Sequence, residues 1–369
     1  LLFIKGLSRY EDPDQDNSRG ARAMKVGIEL HHGYLRDEYM SVEQVLQKAK
    51  ADGYEGVYYK SPFYVSKTLD IGALRAASQC AQQLEMFLDF GIGRVNPYNT
   101  TESPEIWMLG GGDYKLAMEK QIYAAAEMGA KELIGVTAGW RGEHTGYFVN
   151  DRFRTDVTWE EQLQATTRFL KRLAPVLRDA GSRINLETHE EITSYEVLRM
   201  IEEVGDDVLG VAFDTANVLS RAEDPVAVAR RAAPYIHQMH AKDGILYFSE
   251  NGLVRQLKAS GQGIVDYKTI FAEIGKVNPE LHVQVEDHKG LMHVDIFVEE
   301  WRNVHPDLNM AEVTELVRLA MLCEQKIASG EWMKPDVYEA ISYWDEMDDR
   351  LESSRKYLQQ VLRELGLAG

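Results

Sequence analysis

The sequence predicts an α/β protein: a closed (β/α)8 barrel of the TIM type followed by a helical C-terminal extension. Three observations carry this. From Met24 to about residue 300, eight short apolar runs alternate with amphipathic helical patterns, which implies right-handed βαβ units and a parallel sheet. That span fits the roughly 250 residues usual for a closed barrel of eight such units. The last four runs end in Glu187, Asp214, His240 and Glu286, and the C-terminal ends of strands are where such barrels carry function. A doubly wound open sheet is the alternative; it lacks a Gly-x-Gly-x-x-Gly turn after the first strand.

In chain order, residues 1–23 begin Leu1-Leu2-Phe3-Ile4 and turn polar through Glu11-Asp12-Pro13-Asp14. The apolar run is too short for a signal-peptide core, so the segment reads as an N-terminal tail with Met24 as a candidate start. Residues 24–305 form the barrel and 306–369 the extension. Residues 25–30 are the first strand. Ser41-Val42-Glu43-Gln44 has capping-box spacing, and Val42, Val45, Leu46 and Ala49 share a helical face that Gly53 ends. Residues 56–59 are the second strand, 70–84 a helix with Ile71, Leu74 and Ala77 apolar, and 85–90 the third strand, running into Gly91-Ile92-Gly93.

Residues 94–112 read as a long loop rich in Gly, Pro and Asn, ahead of a helix at Asp113. Gly110-Gly111-Gly112 does not closely follow a strand, which favours a flexible loop over an anion cradle. Residues 133–137 are the fourth strand, and 138–157 a second long loop. Thr158-Trp159-Glu160-Glu161 opens a helix with Leu163, Thr166, Leu170, Leu173 and Leu177 on one face; Thr193-Ser194-Tyr195-Glu196 opens another, stopped by Gly205. Strands five to eight are 184–187, 209–214, 236–240 and 282–286. Beyond 305, an amphipathic helix over 310–328 and a charged helical stretch over 335–367 are expected to pack over the barrel or a neighbouring subunit, so an oligomer is expected.

Hydrophobic residues make up 44% of the 369 and charged ones 27%, a composition that folds. The net charge of −18 argues against a partner held through phosphates, since counterion release needs a basic face; nucleic acid is not expected. Cys80 and Cys323 are too few and too far apart for a disulfide framework, which suggests a reducing, cytoplasmic setting. No run approaches the roughly 18 consecutive apolar residues of a membrane helix.

Carboxylate oxygens mixed with an imidazole nitrogen suit a hard or borderline divalent cation. Each residue alone has an ordinary explanation: Glu187 as a helix N-terminal acid, Asp214 as a cap, His240 as a core histidine, Glu286 as a lysine's partner. Four strand ends converging together favour one metal site.

These residues also carry a resemblance. Asn185-Leu186-Glu187-Thr188-His189, Phe213-Asp214-Thr215-Ala216-Asn217, His240-Ala241-Lys242-Asp243 and Gly261-Gln262-Gly263-Ile264-Val265-Asp266 resemble the xylose-isomerase-like TIM-barrel superfamily of sugar isomerases, epimerases and apurinic endonucleases, over most of 24–300. The resemblance implies Mn2+ held by Glu187, Asp214, His240 and Glu286, with Mg2+ or Zn2+ acceptable to the same donors. It also implies that Glu187 and Glu286 move the substrate proton, as in the family's epimerases. The family's sixth strand often reads Asp-x-x-His. Asn217 stands in place of that histidine, which leaves substrate contact there open. The additional histidines of the endonuclease branch are not evident.

Within the superfamily, Arg152-Phe153-Arg154-Thr155-Asp156-Val157-Thr158-Trp159-Glu160 and residues 210–218 resemble the catalytic alpha subunit of bacterial C-glycoside deglycosidases. Those enzymes act on a 3-keto sugar joined by carbon to an aromatic aglycone and work with a small beta subunit. The implied activity is a metal-dependent carbon–carbon lyase acting through an enediolate. A sugar isomerase or epimerase, or a decarboxylase of a 3-oxo sugar acid, is the alternative. A non-catalytic sugar-binding or scaffolding barrel is the competing reading from another class.

For elimination, His144 in the loop after the fourth strand is the candidate base, because an imidazole titrates near neutral pH; a solvated loop histidine explains it equally. Arg141 and Glu143 either orient substrate or are surface charges. Lys242 and Asp243 either contact a substrate oxygen or form a salt-bridged rim pair. His189 and His288 flank the ligand strands, and His31 and His32 follow the first strand. Tyr58, Tyr59, Phe63 and Trp107 are candidates to stack on a ring, or ordinary packing.

Overall fold

The computed structural model describes residues 23–30, 34–36, 40–102, 104–137, 141 and 146–369. Eight parallel strands close a barrel: β1 (Lys25–Glu29), β2 (Gly56–Tyr59), β3 (Phe87–Arg94), β4 (Glu132–Val136), β5 (Arg183–Glu187), β6 (Leu209–Asp214), β7 (Ile236–Ala241) and, after an insertion, β10 (His282–Val285). The insertion is a hairpin, β8 (Asp243–Ser249) and β9 (Gly252–Lys258). It joins β11 (Leu291–Val294) in an antiparallel sheet of order β11-β9-β8.

The three expected capping boxes are present. Ser41, Thr158 and Thr193 each accept a backbone N–H from the third helical residue, whose own side chain returns to the cap. Gly181, at φ 60°, ends the long helix Trp159–Ala180 in the left-handed conformation that glycine adopts without strain.

Alternation along the strands separates two environments. The outward residues, among them Val26, Ile28, Ile184, Leu186, Val211, Phe213, Val283 and Val285, are buried against helices. The bore is polar. The Gln284 side-chain amide and the His282 ring (3.0 Å) both reach Asp89, across the two strands that separate β3 from β10. Asn185 donates to Glu132 at 2.9 Å and to Gln238 at 3.4 Å, past β6. Gly27 and Gly56 leave room for the Phe87 ring, which stacks on His282 at 3.9 Å; a Cβ at either glycine would collide with that ring.

Four features differ from expectation. Residues 94–112 contain a 3-10 turn (Pro97–Glu102) and a helix (Pro104–Leu109) rather than loop alone. The stretch 335–367 divides into Pro335–Glu339 and Tyr343–Glu364. Ile71 is 46% exposed, because the inward face of its helix is carried by Leu74, Ala77 and Ala81. The three-stranded sheet was not anticipated.

The C-terminal helices lie against their own chain. Helix Met310–Ala328 covers β8, where Leu316 and Ala320 join Leu246, Leu253, Leu257, Val294 and Trp301 in a second apolar core. Helix Tyr343–Glu364 runs past β1 and β10, and its Arg350 makes a two-pronged ion pair with Asp287, 2.7 Å at each prong. Both cysteines are free, and among the described residues no helix is long and apolar enough to cross a membrane.

Candidate metal centre

Glu187 and Asp214 end β5 and β6, His240 pairs in register with Asp214, and Glu286 follows the last residue of β10. Alternation keeps Lys242 on the same face as His240, and Glu286 on the same face as Gln284. One ligand atom from each of Glu187, Asp214, His240 and Glu286 lies within 4.8 Å of the others, and all four residues are buried. Asp214 Oδ1 accepts the backbone N–H groups of Ala216 (3.0 Å) and Asn217 (2.9 Å), which turns Oδ2 toward the cluster. His240 Nδ1 lies 3.1 Å from Glu286 Oε2 and 3.6 Å from Glu187 Oε1.

Both ring nitrogens of His240, Asp214 Oδ2 and Glu286 Oε2 are buried without a hydrogen-bonding partner. His240 Nδ1 faces Glu286 Oε2 and Asp214 Oδ2 faces Lys242 Nζ, so these buried atoms are held by opposite charge rather than by well-aligned hydrogen bonds. Three carboxylates and one imidazole around them can chelate a divalent cation, so the residues fit the metal the resemblance implies.

Burial resists charge on Glu286, yet Lys242 and His240 hold its carboxyl well below the usual range. Burial likewise resists ionisation of Glu187, and His240 prevails to lower it. Asp214 is raised by burial, against the pull of Lys242 and with the nearby glutamates adding. Burial opposes charge on His240, but the facing Glu187 and Glu286 lift its pKa well above the ordinary value. Lys242 sits within this group, its Nζ 2.6 Å from Glu286 Oε1 and 3.0 Å from Asp214 Oδ2.

The other sequence candidates divide. Asp243 is no rim partner of Lys242. Its carboxylate accepts four backbone N–H groups, from Gly244 and Val265 on Oδ1 and from Gly261 and Gly263 on Oδ2, so the Gly261-to-Asp266 turn folds around it. Asn217 is fully buried, and its Oδ1 accepts Arg255 Nη1 at 3.1 Å. Arg141 Nε lies 3.8 Å from Asp151 Oδ1, outside the four-residue cluster. His288 Nε2 approaches Glu286 Oε1 at 3.6 Å, and His189 pairs with Glu191. Tyr58 sets its ring edge-to-face on His240 at 5.2 Å. Tyr59 stacks on Phe90, Phe63 lies under Lys67, and Trp107 donates to the Thr100 carbonyl and packs on Tyr114. His144, Glu143, His31 and His32 lie outside the described residues.

Two neighbours escaped the sequence reading. Glu29 ends β1, and its carboxyl is pushed up to about 8, first by burial and then by the charge of Glu286. The available signal was an acid at a strand end, as for the four ligands. Glu190 is lowered to about 2; burial opposes that, and Arg255 is the strongest pull in the other direction. Arg255 itself comes from β9, which the sequence reading did not contain.

The fold and this site define a barrel with a buried carboxylate–histidine cluster, able to chelate a divalent cation, at the C-terminal ends of its strands. Residues 46–292 match the family described as xylose isomerase-like TIM barrel, and the chain belongs to that family. Inosose dehydratase of Lacticaseibacillus casei (strain BL23) is 25% identical over 282 residues, which cover 68% of this chain and 85% of that protein. The uncharacterized protein YihM of Escherichia coli (strain K12) is 30% identical over 97 residues, 26% of this chain and 30% of YihM, so that match spans under a third of its length. Among solved structures, the apo form of 3-keto-D-glucoside 4-epimerase from E. coli superposes with a TM-score of 0.53 at 14% identity, over 80% of this chain and 99% of that one. At that identity the likeness is one of fold.

Proposed function

We propose that this protein is a divalent-metal-dependent enzyme that removes a proton beside the carbonyl of a keto sugar and then eliminates a β-substituent. The convergence of Glu187, Asp214, His240 and Glu286 within 4.8 Å carries the reading. A cation bound there supplies Lewis-acid stabilisation of the negative charge that develops on the sugar oxygens. The chain supplies the rest. Glu187 and Glu286 have their carboxyls lowered, which suits a carboxylate that takes the proton from the carbon beside the ketone and then passes it to the departing group. Lys242, buried and cationic between Asp214 and Glu286, favours an anionic oxygen next to it.

The relatives' names support keto-type substrates: one is a dehydratase of an inosose and one an epimerase of a 3-keto-glucoside. The finer reading is cleavage of a 3-keto-C-glycoside, with Mn2+ as the metal, His144 rather than a glutamate as the base, Arg141 orienting substrate and a small beta subunit as partner. The epimerase name favours a second reading, in which the proton is returned to the sugar without elimination.

The protein loaded with Mn2+, alone and with a co-expressed small subunit, is to be incubated with 3-keto-C-glucosides and with free ketoses. Products are followed by chromatography, and bound metal by elemental analysis. Released aglycone is the expected result, with about one metal per chain, both lost in Glu286→Gln. Sugar interconversion alone would replace elimination with epimerisation. Product formation with no bound metal would reject the mechanism.

A further inference from the structure

Two of the candidate ligands are tied, each three residues downstream, to one guanidinium. Arg255 Nη2 donates to Glu190 Oε1 at 2.6 Å, and Arg255 Nη1 donates to Asn217 Oδ1 at 3.1 Å. Glu190 lies in the turn that follows Glu187 and β5; Asn217 lies in the turn that follows Asp214 and β6. From Asn217 the chain of contacts continues to the ligand itself, because the Asn217 backbone N–H donates to Asp214 Oδ1 at 2.9 Å. The same two turns are stitched directly by Thr188, whose hydroxyl accepts the Asp214 N–H at 2.9 Å.

Arg255 is not part of the barrel. It projects from β9, the middle strand of the inserted sheet, and is 1% exposed. Its neighbours in that sheet extend the two other ligand strands: β8 begins at Asp243, just past His240 and Lys242, and β11 begins at Leu291, just past Glu286. One small sheet thus continues the strand ends of His240 and Glu286 and grips, through a single side chain, the turns after Glu187 and Asp214. A planar fork suits this task, since its donors hold two acceptors at fixed relative positions.

We propose that Arg255 is the positioning residue of the cation centre, fixing the Glu187 and Asp214 carboxylates in the geometry that binds metal. This rests on the reading that the four residues hold a divalent cation. Groups that orient metal ligands typically change affinity by about ten- to a hundredfold when removed.

The test is titration of MnCl2 into the purified full chain by calorimetry, with thermal melting measured in parallel. Arg255→Met is expected to fold and to bind Mn2+ about ten- to a hundredfold more weakly. Arg255→Lys is expected to fall between it and the wild type, because an ammonium cannot reproduce the fork. Phe248→Ala, at an exposed site on the same hairpin, should keep wild-type affinity. A lower melting temperature with unchanged Mn2+ affinity would reduce Arg255 to a packing role and overturn the proposal. Where Arg255→Met does not fold, Asn217→Ala and Glu190→Gln cut the two links separately, and wild-type affinity in both overturns it equally. A wild-type chain that binds no Mn2+ would remove the metal reading and this inference together; a wild type that binds and an Arg255→Met that binds as well would remove only the inference.

Discussion

At the scale of single residues, environment rather than residue type sets behaviour. His237, on β7, is held uncharged by burial and by Arg183, its pKa pushed down to about 4 from 6.5. Between those values the unfolded chain carries a proton that the folded chain does not. Stability therefore falls as pH drops through 6.5 toward 4, by at most about 3 kcal/mol. Urea midpoints compared at about pH 7 and about pH 5 should drop less in His237→Gln than in the wild type. The clustered residues Glu187, Asp214, His240 and Glu286 were legible because each closes an apolar run, so position and chemistry coincide. Glu29 was not: its strand, Lys25–Glu29, reads as complete without assigning its last residue a task. Arg255 was illegible for a different reason. Its partners lie 38 and 65 residues away, and only the folded sheet brings them together.

At the scale of elements, the turn after β9 is built around Asp243. Four converging N–H groups require the backbone to approach the carboxylate closely, and glycine permits that at Gly261 and Gly263. A Cβ on Gly263 would land against the Asp243 carboxylate and the Gly244 carbonyl, with backbone on one side that cannot rotate away. Gly263→Ala should destabilise the protein by about 1–3 kcal/mol, read from the denaturant midpoint. The Gly-x-Gly-x-x-Asp pattern was visible in the sequence, but its work in wrapping Asp243 was not. The hairpin was missed because residues 244–248 (Gly-Ile-Leu-Tyr-Phe) show no clean alternation: Gly244, Ile245 and Leu246 are all buried, between β9 and helix Met310–Ala328. The Asn251-Gly252 pair at its turn was the signal that would have found it.

At the scale of the whole molecule, the extension and the barrel share a buried charge pair beside the centre. Asp287 follows Glu286 and points the opposite way, into the Arg350 fork; the Tyr343 hydroxyl donates to the Asp287 carbonyl at 2.7 Å. Arg350→Met leaves that carboxylate buried and unpaired, with an expected cost of about 3–5 kcal/mol in chemical denaturation. The barrel's eight strands were legible because each repeats the same apolar-run-then-helix pattern. The docking of residues 335–364 was not, because a charged helix gives no indication in sequence of which strand end it will meet.

The backbone N–H of Met24 donates to the Leu367 carbonyl at 2.8 Å, and Met24 bridges Ala368 in parallel. The polypeptide between them is therefore very nearly a ring. A short flexible splice across that seam would free the chain to be opened elsewhere, at the solvent-facing bend between β8 and β9 for instance, giving a permuted protein with every barrel register kept.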